Sequence, residues 1–148
     1  MKTPPFNILL ADDDEDDCYF FQEVLEELSI SSLLKIVNDG EQLIQVLMTP
    51  SNTLPDVVFL DLNMPRKTGI ECLLEIKIHE KLKQLPVIIY STSMDYEVVD
   101  LLYEKGAYHY IRKQGEFAKL KKVILTALTI IAQNQLVQPL KENFIIEV

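Results

Sequence analysis

Five short apolar runs, separated by segments with helical periodicity, are the feature that most constrains how this chain can fold. Each run ends at polar or turn-forming residues, as is typical of strands buried on both faces of a sheet. Between the runs, apolar residues recur three or four positions apart, which predicts helices that pack through one face. The alternation indicates an α/β domain with a five-stranded parallel sheet, right-handed crossovers and helices on both faces. The predicted strands are residues 6–11, 33–37, 57–60, 87–90 and 108–111.

A helix is predicted after each strand. Six consecutive acids, residues 12–17, open the first one. Within them Asp14 is the expected N-cap and Asp17 its partner at the third helical position, and we favour a solvated first turn over further metal ligands for residues 14–17. Helices two and four are expected at about 41–48 and 96–105, and helix five from 116. The third follows Gly69, and its predicted buried face consists of Ile70, Leu73, Leu74 and Ile78.

The candidate site residues follow four of the five predicted strands. Asp12 and Asp13 come after the first strand, Asp61 after the third, Ser91 after the fourth and Lys113 after the fifth. Because the carboxyl ends of parallel strands share one edge, we expect these residues to lie together, where open α/β sheets keep their sites. Taken alone, Asp61 could equally be an N-cap or turn residue.

The composition of this edge indicates phosphoryl transfer to a carboxylate. Two carboxylates about 4 Å apart repel by roughly 4 kcal/mol at an effective dielectric of 20, so a cation is needed among them. An all-oxygen site suits Mg²⁺, whereas Zn²⁺ would favour His or Cys. Lys113 supplies a second positive charge for a phosphoryl oxygen, and Ser91 a hydroxyl donor. We therefore predict that Asp61 is the phosphoryl acceptor.

Over about residues 6–132, the chain resembles the receiver domains of two-component response regulators. The resemblance implies a doubly wound, flavodoxin-like (βα)5 fold with strand order 2-1-3-4-5. It also implies a receiver domain at 1–132 followed by a C-terminal extension at 133–148. The matching motifs are the pair Asp12-Asp13, the segment Asp61-Leu-Asn-Met-Pro with Gly69, Ser91 after Leu85-Pro-Val-Ile-Ile-Tyr, and Lys113 after Gly106-Ala-Tyr-His-Tyr-Ile-Arg.

The resemblance also assigns the acceptor and the metal ligands. It implies that Asp61 accepts the phosphoryl group from a sensor histidine kinase or a phosphotransfer protein. Asp13, Asp61 and the backbone carbonyl of Asn63 would bind Mg²⁺, while Asp12 would act through water. The side chain of Asn63 lies where the family tunes its rate of phosphate loss.

Three further positions acquire roles in the same way. Ser91 and Lys113 would hold the phosphoryl oxygens, and Ser91 would move inward as Tyr110 changes rotamer. This switch would alter the surface of helix four, strand five and helix five, which binds a downstream protein target. Two positions depart from the family pattern: Ser91 replaces the commoner Thr, and Gln114 replaces a Pro that usually follows the lysine. A cis bond before Gln costs about 3 kcal/mol, which favours a differently shaped trans loop.

Composition limits the number of domains, the class of partner and the compartment. The 148 residues have the length of one domain, and their net charge of −9 argues against a nucleic-acid surface, which needs clustered Lys and Arg. Cys18 and Cys72 lack metal-site spacing and are predicted to be buried, reduced thiols. No signal peptide or membrane-spanning stretch is recognised, so we expect a cytoplasmic protein without membrane insertion.

The segment after helix five leaves alternatives open. Its apolar residues Phe144, Ile145, Ile146 and Val148 could be disordered, pack on helix five or join a partner subunit, and our hypothesis is a homodimer supported by this tail. Five of the six tyrosines lie between residues 90 and 110, where they fill the core or form an interaction surface.

The preferred interpretation is a stand-alone response regulator that acts by binding proteins, because no DNA-binding or enzymatic domain follows helix five. Three alternatives share part of this pattern. A phosphatase of the haloacid dehalogenase type needs a second Asp two residues after its nucleophile, where this chain has Asn63. A flavodoxin-like nucleotide binder would place its phosphate against six acids. An unphosphorylated receiver-like adaptor does not require the residues Asp13, Asp61, Ser91 and Lys113.

Overall fold

The computed structural model describes residues 5–51, 53–133 and 137–147. In this part of the chain, strands alternate with α-helices up to residue 132, and a short 3-10 helix at Lys141–Asn143 precedes a last strand. The elements are β1 (Phe6–Ala11), α1 (Glu15–Glu27), β2 (Ser32–Val37), α2 (Gly40–Met48), β3 (Val57–Leu60), α3 (Gly69–Ile78), β4 (Val87–Ser91), α4 (Tyr96–Glu104), β5 (His109–Arg112), α5 (Phe117–Ala132) and β6 (Ile145–Ile146).

All strands form one parallel sheet in the order β2-β1-β3-β4-β5-β6. Successive residues of a strand point to opposite faces, and β1 shows the result. Ile8 and Leu10 join a core beneath α1 and α5, whereas Leu9 and Ala11 join a second core beneath α2, α3 and α4. The predicted doubly wound fold and the order of its first five strands are confirmed.

The sheet has six strands rather than the predicted five. Ile145 and Ile146 pair with Tyr110 and Ile111 of β5, and Phe144 before them is only 1% exposed. The tail therefore packs on the sheet edge, with Ile146 in the core beneath α5, so packing on helix five is the nearest of the predicted alternatives. Two paired residues are too few to show a strand periodicity in the sequence. The predicted tail residue Val148 lies outside the described residues.

The buried face of α3 also differs from the prediction. Leu74 is 40% exposed and Ile78 is 83% exposed, so these two residues face solvent. Apolar residues occur on almost every side of this helix, and their spacing therefore did not single out one face. The stripe that packs on the sheet has the spacing i, i+3, i+4 and i+7 and consists of Gly69, Cys72, Leu73 and Ile76.

Other predictions at this level are confirmed. Asp14 caps α1 by accepting a hydrogen bond from the backbone N–H of Asp17 at 3.0 Å. Cys18 and Cys72 are free and buried, and burial raises the pKa of both thiols to about 12. Among the described residues, no helix is both long enough and apolar enough to span a membrane.

Candidate functional site

Backbone hydrogen bonds of the sheet type continue past the last residues of β3 and β5. They fix the backbone positions of the predicted site residues there. The N–H of Asp61 donates to the carbonyl oxygen of Ala11 at 2.9 Å, and the N–H of Lys113 donates to that of Ser91 at 2.8 Å. The carboxyl ends of β1, β3, β4 and β5 therefore lie at one level. Asp12, Asp61, Ser91 and Lys113 come together at this edge, as predicted.

Three carboxylates form a compact group at the edge. One oxygen from each of Asp12, Asp13 and Asp61 lies within 4.8 Å of the others. Asp12 and Asp61 are buried, whereas Asp13 is exposed. Among the described residues, none forms a well-aligned hydrogen bond with the buried Oδ2 of Asp12. This oxygen instead forms an ion pair with Lys113 Nζ at 2.8 Å. An all-oxygen group with one open side and an unsatisfied buried oxygen fits a divalent cation that retains water ligands.

Burial shifts the pKa values of the two buried carboxylates, Asp12 and Asp61. It raises the pKa of Asp61 to about 6; Lys113 opposes this shift and the Asp12 carboxylate adds to it. Burial also raises the pKa of Asp12, against its contact with Lys113. Both groups are therefore harder to ionise than ordinary aspartates, because a charge loses hydration in the interior. A bound cation would instead favour the ionised form of both carboxylates.

Lys113 is the cation that the chain itself supplies. Its Nζ lies 2.8 Å from Asp12 Oδ2 and 3.7 Å from Asp61 Oδ2, and its side chain is 9% exposed. The ammonium also stands over the Tyr90 ring, 5.2 Å from the ring centroid. Burial alone lowers the pKa of Lys113, but the surrounding carboxylates reverse this and raise it above its usual value.

Asp17 also belongs to this group, which is not the prediction from the sequence. A solvated helical turn is the expectation for Asp17, yet its Oδ2 lies 2.8 Å from Lys113 Nζ. The sequence indicates only the helix face of Asp17, which precedes Phe21 by four residues and Val24 by seven, and not its partner Lys113. Phe21 and Val24 are fully buried, so Asp17 extends the buried stripe of α1 towards the site.

The predicted switch residues are linked through the loop after β4. Ser91 is buried, and its Oγ accepts a hydrogen bond from the N–H of Ser93 at 3.2 Å. Tyr110 is also buried and donates its hydroxyl hydrogen to the carbonyl oxygen of Ser93 at 2.5 Å. Ser91 therefore contacts the backbone N–H of Ser93, and Tyr110 contacts the carbonyl oxygen of the same residue.

The loop after β3 positions Asn63 and requires a glycine. Asn63 is exposed, and its backbone N–H opposes the rise in the pKa of Asp61 that burial causes. Gly69 donates its N–H to the carbonyl oxygen of Leu62 at 2.9 Å. A Cβ at this position would overlap the carbonyl oxygen of Asp61, so the close return of the chain is possible only with glycine.

Comparison with known proteins identifies the family. The family model of the response regulator receiver domain matches residues 8–125. The chain belongs to the response regulator receiver family. This receiver is 34% identical over 127 residues to response regulator Rcp1 of Synechocystis sp., covering 83% of the present chain and 86% of Rcp1.

Solved structures of receivers show the same fold. The Mn²⁺-bound form of Rcp1 has a TM-score of 0.79 and 31% identity, over 91% of the present receiver and 99% of that chain. The phosphorylated cyanobacterial phytochrome response regulator RcpA has a TM-score of 0.77 and 29% identity, over 86% and 94% of the two chains. The chain is therefore a receiver of phosphorelay signalling, a class of signalling proteins rather than classical enzymes. The phosphatase and nucleotide-binding alternatives are set aside.

Proposed function

We propose that this receiver accepts a phosphoryl group on Asp61 from a sensor histidine kinase or a phosphotransfer protein. One observation carries the proposal: a buried carboxylate at the end of β3 stands between two further carboxylates and a lysine ammonium 3.7 Å away. In the transfer, an oxygen of Asp61 forms a bond to phosphorus. The bond from phosphorus to the histidine nitrogen of the donor breaks, and its electron pair stays on that nitrogen.

The site residues would also bind the metal ion, bind the phosphoryl group and influence its loss. Asp13, Asp61 and the carbonyl oxygen of Asn63 would hold Mg²⁺, with Asp12 acting through water. The bound ion would neutralise charge on the phosphoryl oxygens and keep Asp61 ionised despite its burial. Lys113 would bind one phosphoryl oxygen, and the exposed side chain of Asn63 would influence how fast water removes the phosphoryl group.

Ser91 and Tyr110 would transmit the change. If Ser91 turns towards a phosphoryl oxygen, its 3.2 Å hydrogen bond with Ser93 is lost. Ser93 also holds the Tyr110 hydroxyl, so the two movements are coupled. The surface of α4, β5 and α5 would then alter its binding of a downstream protein target. Through this route, a local charge change reaches a protein-binding face.

The remaining proposals concern the domain bounds, the location and the assembly of the protein. We assign residues 1–132 to the receiver domain and 133–148 to an extension, and we place the protein in the cytoplasm, bound to neither nucleic acid nor membrane. A homodimer is proposed through the edge strand β6, since its outer side ends the sheet. The side chains of Phe144 and Ile146 are buried within the chain, so backbone pairing remains for a partner.

Chemical phosphorylation tests the proposal. The full chain is incubated with phosphoramidate and Mg²⁺, and its intact mass is measured over time. We expect a gain of one phosphoryl group that is lost in Asp61→Asn and on chelation of the metal. Wild-type protein that gains no mass under these conditions would instead support the unphosphorylated adaptor.

A further inference from the structure

The ammonium of Lys113 is held from two sides. Asp12, after β1, and Asp17, in the first turn of α1, each place a carboxylate oxygen 2.8 Å from Nζ. We propose that Asp17 is a positioning residue, which fixes the Lys113 ammonium for the incoming phosphoryl group. This inference rests on the proposed phosphoryl transfer to Asp61.

The geometry leaves at least one donor of the lysine for the phosphoryl group. An ammonium has three N–H donors; one is hydrogen-bonded to Asp17, and at most one more is directed at Asp12, whose 2.8 Å contact is an ion pair. The third contact, to Asp61 Oδ2, is 3.7 Å long and is too long for a hydrogen bond. A phosphoryl oxygen attached to Asp61 would come within reach of this remaining donor. Asp17 therefore directs the ammonium without blocking it.

Asp17 is itself held by a rigid support. Its backbone N–H is bound by the N-cap Asp14, which fixes the first turn of α1. One turn later, the Phe21 ring packs edge-on against Phe59 of β3 and Tyr90 of β4, with ring centroids 5.0 and 5.6 Å apart. The position of the Asp17 carboxylate is thus set by the helix and sheet that also carry the site.

The loop that follows Lys113 explains why a contact from Asp17 would be needed to position the lysine. The next residues are Gln114 and Gly115, and in the described part of the chain no atom beyond the adjacent residues would lie within 4 Å of a Cβ at Gly115. Neither residue has the ring that fixes the backbone of a proline. A lysine side chain also carries about 2 kcal/mol of rotamer entropy, which must be restricted for a defined contact. The backbone of Lys113 is fixed by its hydrogen bond to Ser91, and Asp17 supplies from α1 a restraint on the side chain.

A purely electrostatic role predicts the opposite result. Asp17 adds a negative charge near a site that receives an anionic donor, and its removal would then speed the reaction. Asp16 is the matched control because it lies in the same helical turn, is exposed and carries the same charge. Removing the charge of Asp16 changes the local field without touching the contact to Lys113.

The experiment measures the initial rate of phosphorylation of the full chain by phosphoramidate at saturating Mg²⁺. We expect Asp17→Asn to slow the reaction about tenfold, because a charge-assisted contact is lost. Asp17→Glu should recover much of that rate, since it restores the carboxylate, and Asp16→Asn should not slow the reaction. In a Lys113→Ala background, adding Asp17→Asn should cause no further loss. Thermal unfolding of each variant identifies any general loss of structure.

Distinct outcomes overturn the two proposals. If wild type is phosphorylated and Asp17→Asn reacts at least as fast as Asp16→Asn, Asp17 has no positioning role. An equal slowing by Asp17→Asn with and without Lys113 would also remove the role, because the effect would then not pass through the lysine. If wild type takes up no phosphoryl group, phosphoryl transfer to Asp61 is overturned together with the role built on it.

Discussion

At the scale of single residues, burial and charge oppose each other around Asp61. The fold removes this carboxylate and Asp12 from water, which raises the pKa of both. Lys113 offsets part of the resulting cost by ionic contacts with both. The resting site is thus incompletely neutralised, and this state favours the binding of a divalent cation.

The raised pKa of Asp61 makes stability depend on pH. The folded carboxyl has a pKa of about 6, against an ordinary value of 3.8, so folding favours its protonated form. The stabilisation is complete below about pH 4 and is lost as the pH rises to about 6. Without divalent cations, we expect the free energy of unfolding of wild type to fall relative to Asp61→Asn by up to about 3 kcal/mol over this range.

Urea denaturation of both proteins at pH 4, 5, 6 and 7 would measure this difference. Added Mg²⁺ should restore stability to wild type above pH 6 and leave Asp61→Asn largely unaffected, because binding to the folded state stabilises it. A difference between the two proteins that stays constant from pH 4 to 7 would contradict the raised pKa.

At the scale of elements, the tail packs against α4 and β5. Gln138 Nε2 donates to the carbonyl oxygens of Tyr103 and Ala107, both at 2.7 Å. The Tyr103 hydroxyl donates to the carbonyl oxygen of Pro139 at 2.7 Å. Phe144 packs edge-on against Tyr103, with 5.2 Å between ring centroids, and accepts a hydrogen bond from the Tyr110 N–H at 3.0 Å. The tail thus contacts the strand that carries the proposed switch residue.

The Phe144 side chain is expected to be the main apolar anchor of this tail. We predict that Phe144→Ala lowers the free energy of unfolding by about 3 kcal/mol, because a ring that is 1% exposed leaves a cavity. Leu140→Ala is the matched control from the same tail, since Leu140 is 66% exposed. It should change stability by less than about 0.5 kcal/mol. Urea denaturation measures both, and equal effects would mean that Phe144 is not anchored in the core.

At the scale of the whole molecule, the described residues form one sheet with a core on each face, and its two edges differ. β2 borders one side with six residues, whereas the other side ends in the two-residue strand β6. A short edge strand limits indiscriminate pairing but still offers backbone groups to a second copy. The proposed dimer would use this second edge.

Sedimentation of the full chain and of a chain ending at Gln133 tests that dimer. We expect the full chain to sediment as a dimer and the shortened chain to lose that species, because β6 is removed. Far-ultraviolet circular dichroism of the shortened chain checks that α1 to α5 remain folded. An unchanged oligomeric state would contradict a contact through the tail.

Much of the fold and of the candidate site could be predicted from the sequence because the signals are local. Runs such as Val57–Leu60 identify buried strands, and parallel strands bring their carboxyl ends together whatever their side chains are. Asp12, Asp61, Ser91 and Lys113 could therefore be grouped in advance. The buried face of α3 could not, because its apolar residues surround the helix and only packing distinguishes Ile76 from Ile78.

The sequence by itself determined the parallel α/β architecture, the edge that carries the site and the residues most suited to phosphoryl chemistry. Only the tertiary structure decided that β6 completes the sheet and that Asp17 contacts a lysine 96 positions away. The reason is physical: strand and helix patterns are set by neighbours along the chain, whereas both of these contacts join segments far apart in it. Such contacts depend on the distances between packed elements, which periodicity does not encode.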